Sequence, residues 1–208
     1  NTYTTTGLIT GQQVRCDITA NTVCPVTKTL GTAVTLNDPR SNLGTAYPTW
    51  YGNGRQQYLI LANELNAFGA VPGKISSLTF NINTTLGDPL TLNNYTIKMG
   101  QTAAAALTGA FQSSTFSTVY GPVNYTPVPG ALNRHMFTAP FDWDGSSNLI
   151  IDICFSNQVV GNGAYQNYQS ATGFISTTYY QADGAGGANA CSAATGTAGS
   201  MRPNMQLT

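Results

Sequence analysis

The fold of this chain is decided by one stretch: Arg134-His135-Met136-Phe137-Thr138-Ala139-Pro140-Phe141-Asp142-Trp143-Asp144-Gly145-Ser146-Ser147-Asn148-Leu149-Ile150-Ile151-Asp152-Ile153-Cys154-Phe155. It predicts a strand, a tight Asp-Gly turn, and then the most apolar strand of the sequence. The two-residue period of this second strand puts four large apolar residues on one face: Leu149, Ile151, Ile153 and Phe155. The other face carries Ile150 and Cys154 and is interrupted by Asp152. We therefore expect a strand covered on both sides, in the middle of a β-sandwich, with Cys154 placed to bridge to a segment outside it.

The composition predicts a chain that is large enough for a full core but unusually poor in charge. Of its 208 residues only 8% are charged, against about 25% in an ordinary soluble domain. Eight basic and eight acidic residues cancel. A chain without a basic patch has no electrostatic footprint for nucleic acid or anionic lipid, so we expect neither as a partner.

The cysteines indicate an oxidising compartment. No apolar run is long enough to span a membrane, and no charged-then-apolar leader is present, so we expect no membrane insertion and a soluble chain from which any targeting segment has been removed. Four cysteines in a Thr/Asn/Gly-rich β chain favour two disulfides over a zinc site. Of the three possible pairings we favour Cys16–Cys24, which closes a local loop, and Cys154–Cys191, which ties the apolar strand to a Gly/Ala-rich segment. The expected location is extracellular or at the cell surface.

The pattern along the chain predicts an all-β fold, an antiparallel β-sandwich or jelly roll with one short helix near residues 63–68. Residues 1–40 are β-branched but poor in large apolar side chains, so we interpret them as an extended arm with a small disulfide loop, and residues 41–208 as the sandwich domain. Besides a short apolar strand near residue 60, strands are predicted at 74–83, 94–99, 110–120, 132–137, 148–155, 173–181 and 201–207.

The order of several short motifs resembles a β-sandwich module that is repeated in secreted and cell-surface proteins of Bacteroidota. The motifs are Tyr-Pro-x-x-Tyr-Gly-Asn at 47–53, Arg-x-Gln-x-Leu at 55–59, Glu-Leu-x-x-x-Gly at 64–69, Ile-x-Ser-Leu-x-Phe at 75–80, Tyr-Thr-Ile-Lys-Met-Gly at 95–100, Phe-Asp-Trp-Asp-Gly-x-Ser-Asn at 141–148, Cys-Phe at 154–155 and Arg-Pro-Asn-Met at 202–205. The resemblance covers roughly residues 44–208. It implies a sandwich fold and export by the type IX route, among adhesin-like repeats, proteases and glycan-degrading enzymes. The arm before Ser41 lies outside the pattern.

Candidate catalytic and metal-binding residues are few. Asp142 and Asp144 point the same way in an extended segment, so they are candidates for a calcium site or a carboxylate pair. An Asp-Gly pair before Ser-Ser-Asn is first of all a turn whose carboxylate caps backbone N–H groups, and this is the interpretation that we prefer. Glu64 is the sole glutamate and His135 the sole histidine, and no Gly-x-Ser-x-Gly motif is present. We expect no enzyme and no cofactor, with calcium at Asp142 and Asp144 as the alternative.

Aromatic residues in or beside loops are the candidates for glycan binding, because flat rings with neighbouring amides hold sugars on β-sandwich faces. They are Trp50, Tyr51, Tyr165, Tyr168, Tyr179 and Tyr180. The alternative is that these rings belong to the core or fill a charge-poor surface.

Two function classes follow from these observations. The first is a non-enzymatic structural or adhesive unit, which would associate with another copy or with another cell-surface protein by adding its N-terminal arm to a neighbouring sandwich. The alternative is a carbohydrate-binding module that works beside a secreted enzyme. We favour the first, because we expect the whole chain, arm included, to form one folded unit; its charge-poor surface also suits close self-association.

Overall fold

The computed structural model describes residues 25–38, 40–41, 43–185 and 190–208. They form two antiparallel sheets packed face to face, so the predicted all-β sandwich is confirmed. The predicted Cys16–Cys24 bridge lies outside the described residues. No helix in the described part of the chain is long and apolar enough to cross a membrane.

The described residues contribute thirteen strands to the sandwich. In chain order they are β1 (Lys28–Leu30), β2 (Thr35–Leu36), β3 (Asn53–Ile60), β4 (Gly73–Gly87), β5 (Leu92–Thr102), β6 (Ser117–Tyr125), β7 (Ala131–Trp143), β8 (Asn148–Ser156), β9 (Gly163–Ala171), β10 (Thr177–Ala182), β11 (Thr197–Gly199), β12 (Met201–Pro203) and β13 (Met205–Leu207). The six-stranded sheet has the order β11-β10-β3-β8-β5-β6. The seven-stranded sheet has the order β1-β13-β4-β9-β12, with β2 on β9 and β7 on β4.

Strand β8 is the apolar strand predicted from the opening stretch, and it lies inside the six-stranded sheet between β3 and β5. Its four inward residues are all buried against the seven-stranded sheet, as the two-residue period predicted: Leu149, Ile151, Ile153 and Phe155. Phe80 and Ile82 of β4 lie in the same cluster. This contact between the two sheets forms the main core.

The outer face of β8 is covered by two loops, as predicted from its apolar residues. Ile150 is fully buried in a second cluster with Leu59 and Leu107, the latter from the loop between β5 and β6. Cys154 forms the predicted disulfide with Cys191, which belongs to a 3-10 turn at Ala190–Ser192, and the two Cα atoms are 5.2 Å apart. The two loops also join each other, because Phe111 N donates to Ala194 O at 3.0 Å.

Asp152, the one charged residue on this outer face, is neutralised by Arg55 of β3. The Arg55 Nη2 atom lies 2.5 Å from Asp152 Oδ2, and the two side chains are 14% and 3% exposed. Gln57 donates to the same oxygen at 2.6 Å. Arg55 Nη1 also donates to Ala193 O at 2.6 Å. The Asp152 carboxylate therefore fixes Arg55 and Gln57. These two side chains in turn hydrogen-bond to the covering loops, Arg55 to Ala193 O and Gln57 to Gln112 O.

The short helix α1 spans Ala62–Ala67, which confirms the helix predicted near 63–68. Leu65 is its buried residue. Gly69 follows with φ +71° and donates from its N–H to Asn66 O at 2.9 Å, so this glycine ends the helix in the left-handed conformation that it favours.

Strands β6 and β9 differ clearly from the sequence prediction. In addition, β11 was not predicted, and the strand predicted at 201–207 is divided into β12 and β13. The strand predicted at 110–120 is displaced to β6, because the Gly121-Pro122 pair that resembles a turn lies inside an edge strand, where proline is tolerated. Strand β9 was not predicted at all. Two of its core-facing residues, Asn167 and Gln169, are polar, so it lacks the apolar alternation of a half-buried strand.

A buried amide network explains how β9 tolerates these polar residues. Asn167 Oδ1 accepts from Ala46 N at 2.8 Å and its Nδ2 donates to Gly44 O at 3.0 Å. Asn37 Oδ1 accepts from Asn167 N at 2.8 Å, and Asn37 Nδ2 donates to Thr45 Oγ1 at 2.8 Å. Since buried amides are stable only when they are hydrogen-bonded, this network fixes the chain on both sides of the predicted arm boundary.

The described part of the predicted arm pairs within its own chain. Lys28–Leu30 pairs with β13 and Thr35–Leu36 pairs with β9. Pairing of the arm with a neighbouring copy stays a prediction for residues 1–24, which lie outside the described residues.

We expect loss of the Cys154–Cys191 bridge to destabilise the sandwich, because the bridge restricts the unfolded chain and ties a loop to the central strand. Replacing both cysteines by alanine should lower the free energy of unfolding by about 2–5 kcal/mol in denaturant titrations. The control is Ala194→Ser, an exposed change in the same segment, which should stay within about 0.5 kcal/mol of the parent. Equal stability of the double variant and the parent would contradict a structural role of the bridge.

Candidate functional site

The six aromatic residues predicted to bind glycans do not form one surface. Tyr165 is 2% exposed and belongs to the core. Tyr168, three residues later on β9, is half-buried on the opposite, outer face of the seven-stranded sheet, where it donates to Asn83 Oδ1 at 3.1 Å. Tyr180 pairs with Arg55, so it lies on the outer face of the six-stranded sheet, and Tyr179 lies on the inner face. These tyrosines are therefore divided between the core and the two outer faces.

Trp50 and Tyr51 lie apart from the tyrosines, in the segment before β3. The Arg40 guanidinium lies 5.3 Å from the centre of the Trp50 ring, a cation–π contact. The backbone of both aromatic residues is packed so closely on Gly161 that a Cβ there would meet Trp50 O at 2.6 Å. Both observations favour a role for these rings in anchoring the loop.

The two carboxylates predicted as calcium ligands have separate partners. Asp144 Oδ1 accepts from the N–H groups of Ser146 and Ser147, each at 2.7 Å, which is the turn cap that we preferred. Hydrogen bonds from Ser147 and Ser146 lower the pKa of Asp144 to about 2. Asp142 instead accepts from Lys74 Nζ at 2.9 Å, on the exposed surface.

Nothing in the described ranges groups three His, Cys, Asp or Glu side chains in the way that a metal site requires. Calcium at Asp142 and Asp144 stays a prediction.

His135 lies on β7 inside a cluster of aromatic rings. Tyr47 Oη and His135 Nε2 are joined by a hydrogen bond of 2.7 Å. The rings of Tyr120 and Tyr125 lie 4.7 and 4.6 Å from the imidazole centre, and Tyr95 lies 5.3 Å away. The imidazole is fully buried, and its Nδ1 has no hydrogen-bond partner among the described residues.

Burial decides the charge of this cluster. Desolvation lowers the pKa of His135 to about 3, so the imidazole is neutral at physiological pH. Burial raises the pKa of Tyr47 and of Tyr95 well above the usual tyrosine value. A neutral histidine enclosed by neutral phenols is a packed core element, and no substrate atom can reach it from solvent.

The described residues form at least two surface grooves. The larger, about 470 Å³, lies between β6 and β7, and neutral polar side chains such as Gln101, Thr115 and Ser117 line it. Its one aromatic residue, Phe141, is only 8% exposed because it belongs to the core. We call this the β6–β7 groove.

The second groove, about 410 Å³, lies beside helix α1. Its lining includes Phe68, Phe174, Asn63, Glu64 and Arg202, and we call it the Arg202 groove. The rings come from the end of α1 and from the loop after β9, and the charged pair joins α1 to β12.

The charged pair of the Arg202 groove is well formed. Arg202 Nη2 donates to Glu64 Oε1 at 2.6 Å and Nη1 donates to Oε2 at 3.2 Å. Arg202 Nη1 also donates to Leu59 O at 2.5 Å. Glu64 Oε2 accepts from Leu61 N at 2.8 Å, where the helix begins. The sequence analysis recognised Glu64 as the sole glutamate and Arg202 within a motif, but only the fold brings them together.

Comparison with known proteins assigns the chain to no family. No family model matches the chain, and no curated protein matches it. The resemblance to a Bacteroidota surface module therefore stays a prediction.

Burial of His135 predicts a specific pH dependence of stability. Between the folded pKa of about 3 and the unfolded value near 6.5, the unfolded chain binds a proton that the folded chain does not. The free energy of unfolding should therefore fall as the pH falls through 6.5, with a slope that approaches about 1.4 kcal/mol per pH unit about one unit below that value. We expect urea titrations at pH 7, 6 and 5 to show this slope, and His135→Gln to remove it. Parallel curves for the parent and the variant would contradict a buried neutral imidazole.

Proposed function

We propose that this protein is a non-enzymatic structural or adhesive β-sandwich unit that works outside the cell. The observation that carries the proposal is the use of its ionisable side chains. The residues that catalysis would need are committed to the fold: His135 to the core, Asp152 to Arg55, and Glu64 to Arg202. What remains for contact with other molecules is a surface with few charges.

Three further carboxylates of the described residues support the same conclusion. Asp183 Oδ1 accepts from Gly52 N at 3.0 Å and from Gly161 N at 2.9 Å, so it fixes two loops together. Asp142 and Asp144 are held by Lys74 and by the turn. A general acid or base has to be within reach of a substrate proton, and these groups instead bond to the chain's own backbone and side chains.

The surface composition supports adhesion. With 8% charged residues and equal numbers of each sign, the chain has little long-range repulsion to overcome when two surfaces meet. Contacts made by hydroxyl and amide groups are also insensitive to salt, unlike those made by exposed charges. The Cys154–Cys191 disulfide is compatible with an oxidising, extracellular location.

The alternative, a carbohydrate-binding module, loses support from the aromatic residues that suggested it, because Tyr165, Tyr168 and Tyr180 lie on different faces. It gains support from the Arg202 groove, whose lining combines aromatic rings with polar side chains.

The proposal is tested by adhesion and by turnover in parallel. Beads coated with the chain are passed over glass that carries either the same chain or a neutral polysaccharide, at low and at high sodium chloride. We expect retention above that of blocked beads on at least one surface, with little loss at high salt because few charges are involved.

The same preparation is assayed for hydrolysis of a glycan panel and a peptide panel, with and without calcium. We expect no turnover. Failure of the beads to adhere to either surface would refute the adhesive role. Hydrolysis that Asp144→Asn or His135→Ala abolishes would refute the non-enzymatic one.

A further inference from the structure

We propose that the Arg202 groove is a binding site for a neutral saccharide. The groove combines the two elements that hold such a ligand: aromatic rings for the apolar face of a sugar and planar polar groups for its hydroxyls. Its volume of about 410 Å³ lies within the range of small-molecule sites. Its residues are absent from the set of aromatic residues predicted from the sequence.

The rings of this groove are accessible. Phe68, the residue directly after helix α1, is 44% exposed. Leu65 within the helix is buried, so the exposed ring is not part of the core contact of this helix. Phe174 is half-buried, packed on the cluster of Leu59 and Ile150. A large apolar side chain left exposed at the rim of a concave surface is a better contact for a ligand than one scattered singly on a convex surface.

The polar groups retain hydrogen-bonding capacity toward a ligand. A carboxylate accepts about four hydrogen bonds, and Glu64 receives three, from Leu61 and from two nitrogens of Arg202. Its side chain is 25% exposed. A sugar hydroxyl can therefore donate to Glu64, and the exposed Asn63 amide at the same groove can donate or accept.

The charge of the groove selects a neutral ligand. Arg202 alone would attract an anion, but its guanidinium is paired with Glu64 through two hydrogen bonds, so the net charge of the pair is zero. An acidic sugar would have to compete with this carboxylate, and a cation with the guanidinium. A neutral molecule with an apolar face and several hydroxyls meets neither cost.

The β6–β7 groove is the weaker candidate although it is larger. Its hydroxyl and amide side chains match a sugar, but its aromatic ring, Phe141, is 8% exposed and packs into the core. Without an accessible ring it lacks the apolar contact that distinguishes a saccharide from water. This difference decides between the two grooves.

The test must separate binding from the structural role of the pair, since Arg202 also bonds to Leu59 O and ties α1 to β12. The informative variants are therefore Phe68→Ala and Phe174→Ala at the rim. The matched control is Phe116→Ala, because Phe116 is also half-buried and packs on the same cluster as Phe174 without lining the groove. All four proteins are first compared by thermal unfolding.

The probes are neutral oligosaccharides of gluco, galacto, manno and xylo configuration and a uronic-acid oligosaccharide, titrated into the full chain by calorimetry and by amide NMR. We expect at least one neutral probe to bind and to shift the amides of Asn63 and Gly173. We expect both rim variants to weaken it at least tenfold, and Phe116→Ala to change it less than twofold. Glu64→Gln should move the preference toward the uronic acid.

Three results would overturn the proposal: no neutral probe binds, the parent prefers the uronic acid, or Phe116→Ala weakens binding as much as Phe174→Ala. Beads that adhere to chain-coated glass while no sugar binds would leave the adhesive role intact and remove this site.

Discussion

The central strand of this sandwich depends on a buried ion pair, Arg55 with Asp152. Strand β8 is covered on both faces, so a carboxylate at its centre is stable only if a positive charge and hydrogen-bond donors replace water. Arg55 and Gln57 of the neighbouring strand supply both, and each reaches on to a covering loop: Arg55 to Ala193 O and Gln57 to Gln112 O. The Phe111 ring lies 4.4 Å from the guanidinium and closes the site. The Cys154–Cys191 disulfide lies beside this pair and links the loop that contains Ala193 covalently to β8.

This arrangement also underlies the proposed non-enzymatic role. The interior uses the histidine, the glutamate and the central aspartate as structural elements, and the exposed turn uses Asp144 as a cap. This use of ionisable groups supports the proposed role in binding and support, in which recognition would depend on shape, rings and neutral hydrogen bonds. The Arg202 groove offers that combination, with the pair that anchors helix α1 also forming the polar part of its wall.

The sequence predicted the parts of the fold that depend on local pattern. The two-residue period identified β8, the Asp-Gly turn predicted its cap, and the Gly/Ala-rich loop correctly suggested Cys191 as the partner of Cys154. It could not identify β9, because Asn167 faces the core and is stabilised by partners distant in the chain. The candidate site could not be predicted for the same reason. Phe68 and Phe174, like Glu64 and Arg202, are distant in the sequence and are brought together only by folding. The sequence made the tyrosines candidates for glycan binding on a sandwich face. The alternation of side chains along β9 and β10 instead places them on different faces.

The most direct test of this account is a double-mutant cycle on Arg55 and Asp152, with Arg55→Met and Asp152→Asn, measured by equilibrium unfolding. Each single change leaves a buried charge without its partner and should cost about 3–5 kcal/mol. The double variant removes both charges, so it should lose much less than the sum, with a coupling energy above about 1 kcal/mol. Costs that add to within about 0.5 kcal/mol would contradict the claim that this pair holds the central strand and its loops together.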